Sequence, residues 1–192
     1  MYIRRKGIIM RKTFNALDIS RKVIASRIHE GDICIDATAG RGNDTAYLCG
    51  LAGESGKVIA FDIYQVPVIS EQLGIPYVEM DELLAMSDFV SVHAPAVDGG
   101  ALISAENIAK MKDGVVVINT SRGTNVDEAA LLAALESGKV RAAGLDVYAD
   151  EPATNKALYS HPMVSCTPHI GAATNEAQKR IGAEIVDIIK AM

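Results

Sequence analysis

The feature that most constrains this chain is the recurrence of short, continuous apolar runs, most of them rich in β-branched residues. Ile33-Cys34-Ile35, Val58-Ile59-Ala60-Phe61, Phe89-Val90-Ser91-Val92, Val115-Val116-Val117-Ile118 and Ala142-Ala143-Gly144-Leu145 each have strand length. Continuous runs of this kind fit strands covered on both faces, as central parallel strands are. Helically spaced segments lie between them. Ala16 to Ile28 places Ile19, Val23, Ile24 and Ile28 on one side, and Asp81 to Met86 is short. Ser104 to Lys110 opens on Ser-x-x-Asn, an N-cap pattern. Asp127 to Ser137 carries Leu131, Leu132 and Leu135 and stops at Gly138, a C′ residue. Ala172 to Met192 is the longest, with Ile181, Ile185 and Ile188 expected to face inward.

Strand–helix alternation with short links means βαβ units, and right-handed crossovers leave few topologies. The predicted fold is α/β: a doubly wound, mainly parallel Rossmann-like sheet in three α/β/α layers. Residues 1–192 read as a single domain without repeats or low-complexity linkers, least regular from Gln65 to Pro76. The net charge of -5 argues against a general nucleic-acid binder. Arg4, Arg5, Lys6, Arg11 and Lys12 crowd the amino terminus, which reads as solvated and frayed, with an RNA-facing arm as the alternative. Cys34, Cys49 and Cys166 are odd in number and lack metal-like spacing. They point to a reduced, cytoplasmic protein without a metal site, with Cys34 in the core. No apolar stretch reaches the ~18 residues of a membrane span, and the amino terminus lacks the cleavage site of a signal peptide.

The first strand runs into Asp36-Ala37-Thr38-Ala39-Gly40-Arg41-Gly42-Asn43-Asp44-Thr45. A glycine-rich turn between strand and helix lets a ligand approach the backbone. The second strand ends at Asp62, whose carboxylate can accept two hydrogen bonds from a ribose diol. Turn and acid together point to an adenosine ligand. Thr45 stands where the dinucleotide fingerprint has its third glycine, and Asp36 and Asp44 flank the turn with negative charge. Charge therefore favours a sulfonium or ammonium over a pyrophosphate. A plain tight turn at Gly40 and Gly42, and a helix-start role for Asp44, are the simpler alternatives.

On Asp36-x-Thr38-x-Gly40-x-Gly42-Asn43-Asp44-Thr45 and Phe61-Asp62-Ile63, residues from about Phe14 to Ile63 resemble class I S-adenosylmethionine-dependent methyltransferases, in particular bacterial RNA-methylase-like ones. The resemblance implies that Gly40, Gly42 and Asn43 belong to the turn under the methionine part. It also implies that Asp36 or Asp44 faces the amino group and that Asp62 holds the ribose.

From about Tyr64 the motifs change. Val90-Ser91-Val92-His93-Ala94-Pro95, Ile118-Asn119-Thr120-Ser121-Arg122-Gly123-Thr124, Gly144-Leu145-Asp146-Val147-Tyr148, Asp150-Glu151-Pro152 and Thr167-Pro168-His169-Ile170-Gly171 follow in order. This set is similar to the NAD-dependent D-2-hydroxyacid dehydrogenases, the group holding D-lactate and phosphoglycerate dehydrogenases, across residues 64–192. The similarity implies that Arg122 binds a substrate carboxylate and carbonyl through its planar fork, and that His169 is the general acid–base. It implies that Glu151 accepts a hydrogen bond from His169 and favours its charged form. Asp146 would sit near the nicotinamide amide, with His93, Ala94, Pro95 and Thr120 along the cofactor. As isolated residues, His169 could be a satisfied loop histidine and Arg122 a turn cap.

The dehydrogenases carry a substrate-binding segment ahead of the nucleotide domain, whereas about thirty residues precede the first strand here. The change of resemblance falls just after Asp62, the acid common to both families. On this reading residues 1–63 are a methyltransferase-like front and 64–192 a dehydrogenase-like back, joined as an engineered chimera. The expected function is binding of a small-molecule adenosine cofactor, S-adenosylmethionine before NAD, without efficient turnover. The alternatives are an NAD-dependent 2-hydroxyacid oxidoreductase using Arg122, Glu151 and His169, and a purely structural chain with no ligand.

Overall fold

The structure, a computed structural model, describes residues 2–5, 8–11, 33–36, 53–54, 56–65, 67, 70–71, 74–171, 185–186 and 189. The chain divides into two compact units, residues 1–27 with 170–192 and residues 28–169. The helix expected from Ala16 to Ile28 lies outside the described residues, as do the side chain of Cys34 and most of the segment after Ala172.

In the first unit, β1 (Tyr2–Arg5) pairs antiparallel with β2 (Ile8–Arg11), Tyr2 opposite Arg11 and Arg5 opposite Ile8. The frayed terminus expected here is corrected to a two-stranded ladder. Tyr2, Ile3, Ile8 and Ile9 are strand formers, and a two-residue connection containing glycine is a hairpin spacing that the basic charges obscured. Residues 185, 186 and 189 are helical. Ile185, expected to face inward, is 52% exposed, and Val186 and Ile189 are exposed beside it. Apolar spacing marks a stripe on a helix without saying what covers it.

The second unit holds a six-stranded parallel sheet. Its elements are β3 (Ile33–Asp36), β4 (Lys57–Ile59), α1 (Met80–Met86), β5 (Phe89–Val92), α2 (Ala105–Lys110), β6 (Val115–Asn119), α3 (Glu128–Ser137), β7 (Val140–Leu145), α4 (Lys156–Tyr159) and β8 (Val164–Cys166). The strand order is β4-β3-β5-β6-β7-β8. Tyr77 adds a parallel bridge to Ala60 outside β4. The chain thus runs outward from β3 to β4 and Tyr77, then returns to β5 on the other side of β3. That reversal is the switch point of a doubly wound α/β fold, and ligands bind at the carboxyl ends of the strands beside it.

The core forms where the apolar runs predict it. All of β5 is buried, and Val115, Val117 and Leu131 are fully so. Leu131, Ala134 and Leu135 make the buried face of α3, while Leu132, expected with them, packs only partly buried against it. Positions i, i+3 and i+4 share a helix face and i+1 does not. The caps follow the sequence. Ser104 Oγ accepts from Asn107 N at 3.2 Å. Asp127 Oδ1 accepts from Ala129 N and Ala130 N, both at 3.0 Å. Gly138 closes α3 at φ 79°. Among the described residues no helix is long and apolar enough to cross a membrane.

Candidate active site

Strand register places the candidate residues. Val92 lies beside Asn119, Asn119 beside Leu145, and Leu145 beside Cys166. The next residue on each strand is His93, Thr120, Asp146 and Thr167. Because all the strands are parallel, these four leave the sheet together at its carboxyl edge. Asp36 ends β3 in register with Ser91 on that edge, and Asp62 follows β4 there.

The Arg122 loop is built on a buried amide. Asn119 is fully buried, donates from Nδ2 to Arg122 O at 2.9 Å, and accepts at Oδ1 from Ser121 N (3.1 Å) and Ser121 Oγ (2.8 Å). This ties the end of β6 into a tight turn and leaves Arg122 exposed above it, with Nη1 on Ser121 O at 2.7 Å. The turn continues as a short 3₁₀ helix, Gly123–Asn125. Asn125, also fully buried, donates from Nδ2 to Ala94 O (2.9 Å), Pro95 O (3.2 Å) and Ser121 Oγ (3.2 Å). It thereby fastens the segment after β5 to the Arg122 loop. Gly123 lies so close to the loop after β7 that a Cβ there would stand 1.8 Å from Tyr148 O.

That loop carries the acid. Asp146 is buried, and its Oδ1 accepts from the Thr167 hydroxyl at 2.5 Å. Glu151 is brought back by two contacts. Its Oε1 accepts from Tyr148 N at 3.3 Å, and its Oε2 lies 2.7 Å from His169 Nδ1. The His169 contact, aided by the Tyr148 amide and opposed by burial, holds the Glu151 carboxyl below the usual carboxylate range. Nδ1 is thus engaged, and Nε2 is the ring nitrogen turned to other work. His169 has φ 52°, a left-handed conformation uncommon outside glycine and concentrated at functional sites.

On the cofactor side, His93 is half-buried, with Nε2 2.7 Å from Ser91 Oγ and Nδ1 3.5 Å from Thr120 Oγ1. Asp62 is half-buried and accepts from Tyr64 N at Oδ1 (2.8 Å). It borders a cleft of about 110 Å³ whose other walls are apolar, among them Phe61, Ile63, Ala94, Pro95 and Val97. One carboxylate bordering an apolar slot suits a ligand that joins a flat ring to a sugar diol. Gly40, Gly42, Asn43 and Asp44 lie outside the described residues, and Asp36 is described by its backbone alone. The structure therefore brings Arg122, Asp146, Glu151 and His169 into linked loops, and sets Asp62, His93, Ala94, Pro95 and Thr120 along the same edge. Sequence reasoning passed over the roles of Tyr148, Asn125 and Thr167 in joining these loops, because their contacts reach between segments that only the fold makes neighbours.

The sequence profile of the D-isomer specific 2-hydroxyacid dehydrogenase NAD-binding domain matches residues 5–171. D-3-phosphoglycerate dehydrogenase of Mycobacterium leprae is 46% identical over 141 residues, 73% of this chain and 27% of that protein. Hydroxypyruvate reductase of Thermotoga maritima is 48% identical over 138 residues, 69% of this chain and 44% of that one. Among solved structures, glyoxylate reductase from Paecilomyes thermophila superimposes with a TM-score of 0.72 at 34% identity, over 84% of this chain and 49% of its own. D-lactate dehydrogenase from Aquifex aeolicus, complexed with NAD and lactic acid, gives 0.69 at 33% identity, over 87% and 54%. The chain thus spans about a quarter to a half of the length of the proteins it matches.

These matches correct the expectation of an engineered chimera that binds S-adenosylmethionine. The NAD-binding profile runs from residue 5 through the glycine turn and across the supposed join near Asp62. Asp36 and Asp44 supply negative charge at one turn only. Asp62 suits either ligand, so the weight falls on the groups along the rest of the sheet edge, and these are of the dehydrogenase kind.

Proposed function

The chain belongs to the D-isomer specific 2-hydroxyacid dehydrogenase family, as its NAD-binding domain, and from that premise we propose that it is the nucleotide-binding half of an NAD-dependent oxidoreductase acting on small 2-hydroxy and 2-oxo acids. The observation that carries the reading is the Glu151–His169 contact of 2.7 Å on the sheet edge where Arg122 and Asp62 also lie. The cleft beside Asp62 is smaller than a whole adenosine, but its apolar walls offer a seat for part of the adenine, with the carboxylate placed for the ribose diol. Asp146, buried and oriented by Thr167, stands farther along the edge to accept from an amide N–H. When bound, NAD supplies the hydride donor or acceptor.

The chain's own groups do the rest. Arg122 presents a planar fork that binds a carboxylate at two points and polarises the neighbouring carbonyl. Glu151 holds the imidazole by Nδ1 and fixes its ring plane. His169 then delivers a proton from Nε2 to the oxygen as a 2-oxo acid becomes a 2-hydroxy acid, and takes it back in reverse. The relatives reduce or oxidise such acids by their names, and we extend that class to this chain. Titration of the protein with NADH, followed by nicotinamide fluorescence, tests the reading. Saturable binding weakened by Asp62→Ala is expected, and absence of binding would overturn it.

A further inference from the structure

Arg122, Glu151 and His169 come from three separate loops, and Tyr148 meets each loop, at Gly123, at Glu151 and at Thr167. Tyr148 stands three positions beyond β7. Its carbonyl oxygen and carbon lie 1.8 and 2.0 Å from where a Cβ on Gly123 would be, so its backbone is pressed against the residue following Arg122. Its N–H donates to Glu151 Oε1 at 3.3 Å. Its phenol donates to Thr167 O at 2.9 Å, with Leu145 O at 3.4 Å. Burial pushes the phenol well above its ordinary range, so it remains a donor throughout neutral pH.

Thr167 is the lever on His169. Its N–H donates to Leu145 O at 2.9 Å, its hydroxyl to Asp146, and its carbonyl accepts from Tyr148. Two residues later the chain takes the left-handed φ of His169, which a non-glycine residue keeps when its surroundings impose it. The imposed ends are Thr167 on one side and the Glu151 contact on the other.

We propose that Tyr148 is a positioning residue of this site, its hydroxyl fixing the Thr167–His169 segment so that His169 meets Glu151. The proposal rests on the dehydrogenase reading for what the Glu151–His169 pair is for. Its experiment reads the pair directly, by carbon-13 NMR titration of the Glu151 carboxyl in the full chain. In the unmutated protein this carboxyl titrates below the ordinary Glu value. H169N, which removes the partner, brings it back up. Y148F keeps the ring and loses only the hydroxyl, and is expected to raise the Glu151 value toward that of H169N while the melting temperature stays within a few degrees. Should Y148F be too unstable at about 25 °C, the same titration at lower temperature in sucrose, which favours the folded state, carries the test. A rise in H169N with none in Y148F overturns the proposal alone. No rise in H169N means that the pair does not form in solution, and overturns the proposal together with the reading of the pair.

Discussion

Gly123→Ala is the perturbation whose size follows most directly from the geometry. The added Cβ would meet Tyr148 O at 1.8 Å, Tyr148 C at 2.0 Å and Ala149 N at 2.6 Å, all backbone atoms. Non-bonded heavy atoms settle at about 3.5–4 Å, so the two loops must part by more than roughly an ångström. Neither loop yields easily. Arg122 O accepts from Asn125 N and Asn119 Nδ2, and Gly123 O accepts from Val126 N. Opposite, Ala149 N donates to Glu128 Oε1 at 2.9 Å, and the Tyr148 phenol holds Thr167 O. The penalty is steric, because the φ of Gly123 lies outside the left-handed region. Overpacking costs about 1–3 kcal/mol, and one or two broken hydrogen bonds about 1 kcal/mol each, for a total of about 2–5 kcal/mol. At about 2–4 °C per kcal/mol for a chain of this size, the melting temperature falls by roughly 4–20 °C. Circular dichroism melting of both proteins reads this directly. A midpoint within about 2 °C of the parent would refute the close approach and the linkage of the Arg122 and Glu151 loops built on it.

Asp62→Ala weakens NADH by roughly ten- to a hundredfold, the worth of a charge-assisted carboxylate–diol contact, and calorimetry that finds equal affinities counts against the adenosine placement. Asn119→Ala breaks three hydrogen bonds inside a fully buried turn and lowers stability by about 2–4 kcal/mol, read from the urea midpoint. Glu151 is held low in the folded chain, first by His169. Its contribution is therefore complete above the unfolded value of about 4.3 and disappears as pH falls through the folded value. Denaturant midpoints of the parent and Glu151→Gln should then differ near neutrality and converge in acid, and a gap that widens in acid has the wrong sign for this pair. The single-domain reading of residues 1–192 expects one melting transition, and two separated transitions would give the two compact units independent stability.

The central sheet was legible because its strands announce themselves. Val115 to Ile118 is apolar without interruption and Phe89 to Val92 is broken only by the small Ser91, as strands covered on both faces are. Ser104, Asp127 and Gly138 marked helix ends by chemistry that acts within a few residues, and the caps fell there. Strand β8 gave no such signal, since Val164–Cys166 is three residues long and mostly exposed at the sheet edge. The Tyr77 bridge is a single residue. The Glu151–His169 contact could be anticipated from motifs 18 positions apart. The part played by Tyr148 could not, because it depends on a carbonyl across 19 residues and on the closeness of Gly123. The ligand was misjudged for a related reason. Asp36 and Asp44 lie within one nine-residue stretch and are easy to weigh, whereas the order in which His93, Thr120, Asp146 and Thr167 leave the sheet emerges only from strand register.

The most direct test of the central claim is a calorimetric titration of the unmutated chain with NADH and, separately, with S-adenosylmethionine. Saturable NADH binding, tighter than that of S-adenosylmethionine, is the predicted result. No heat with NADH, or tighter binding of S-adenosylmethionine, would contradict it.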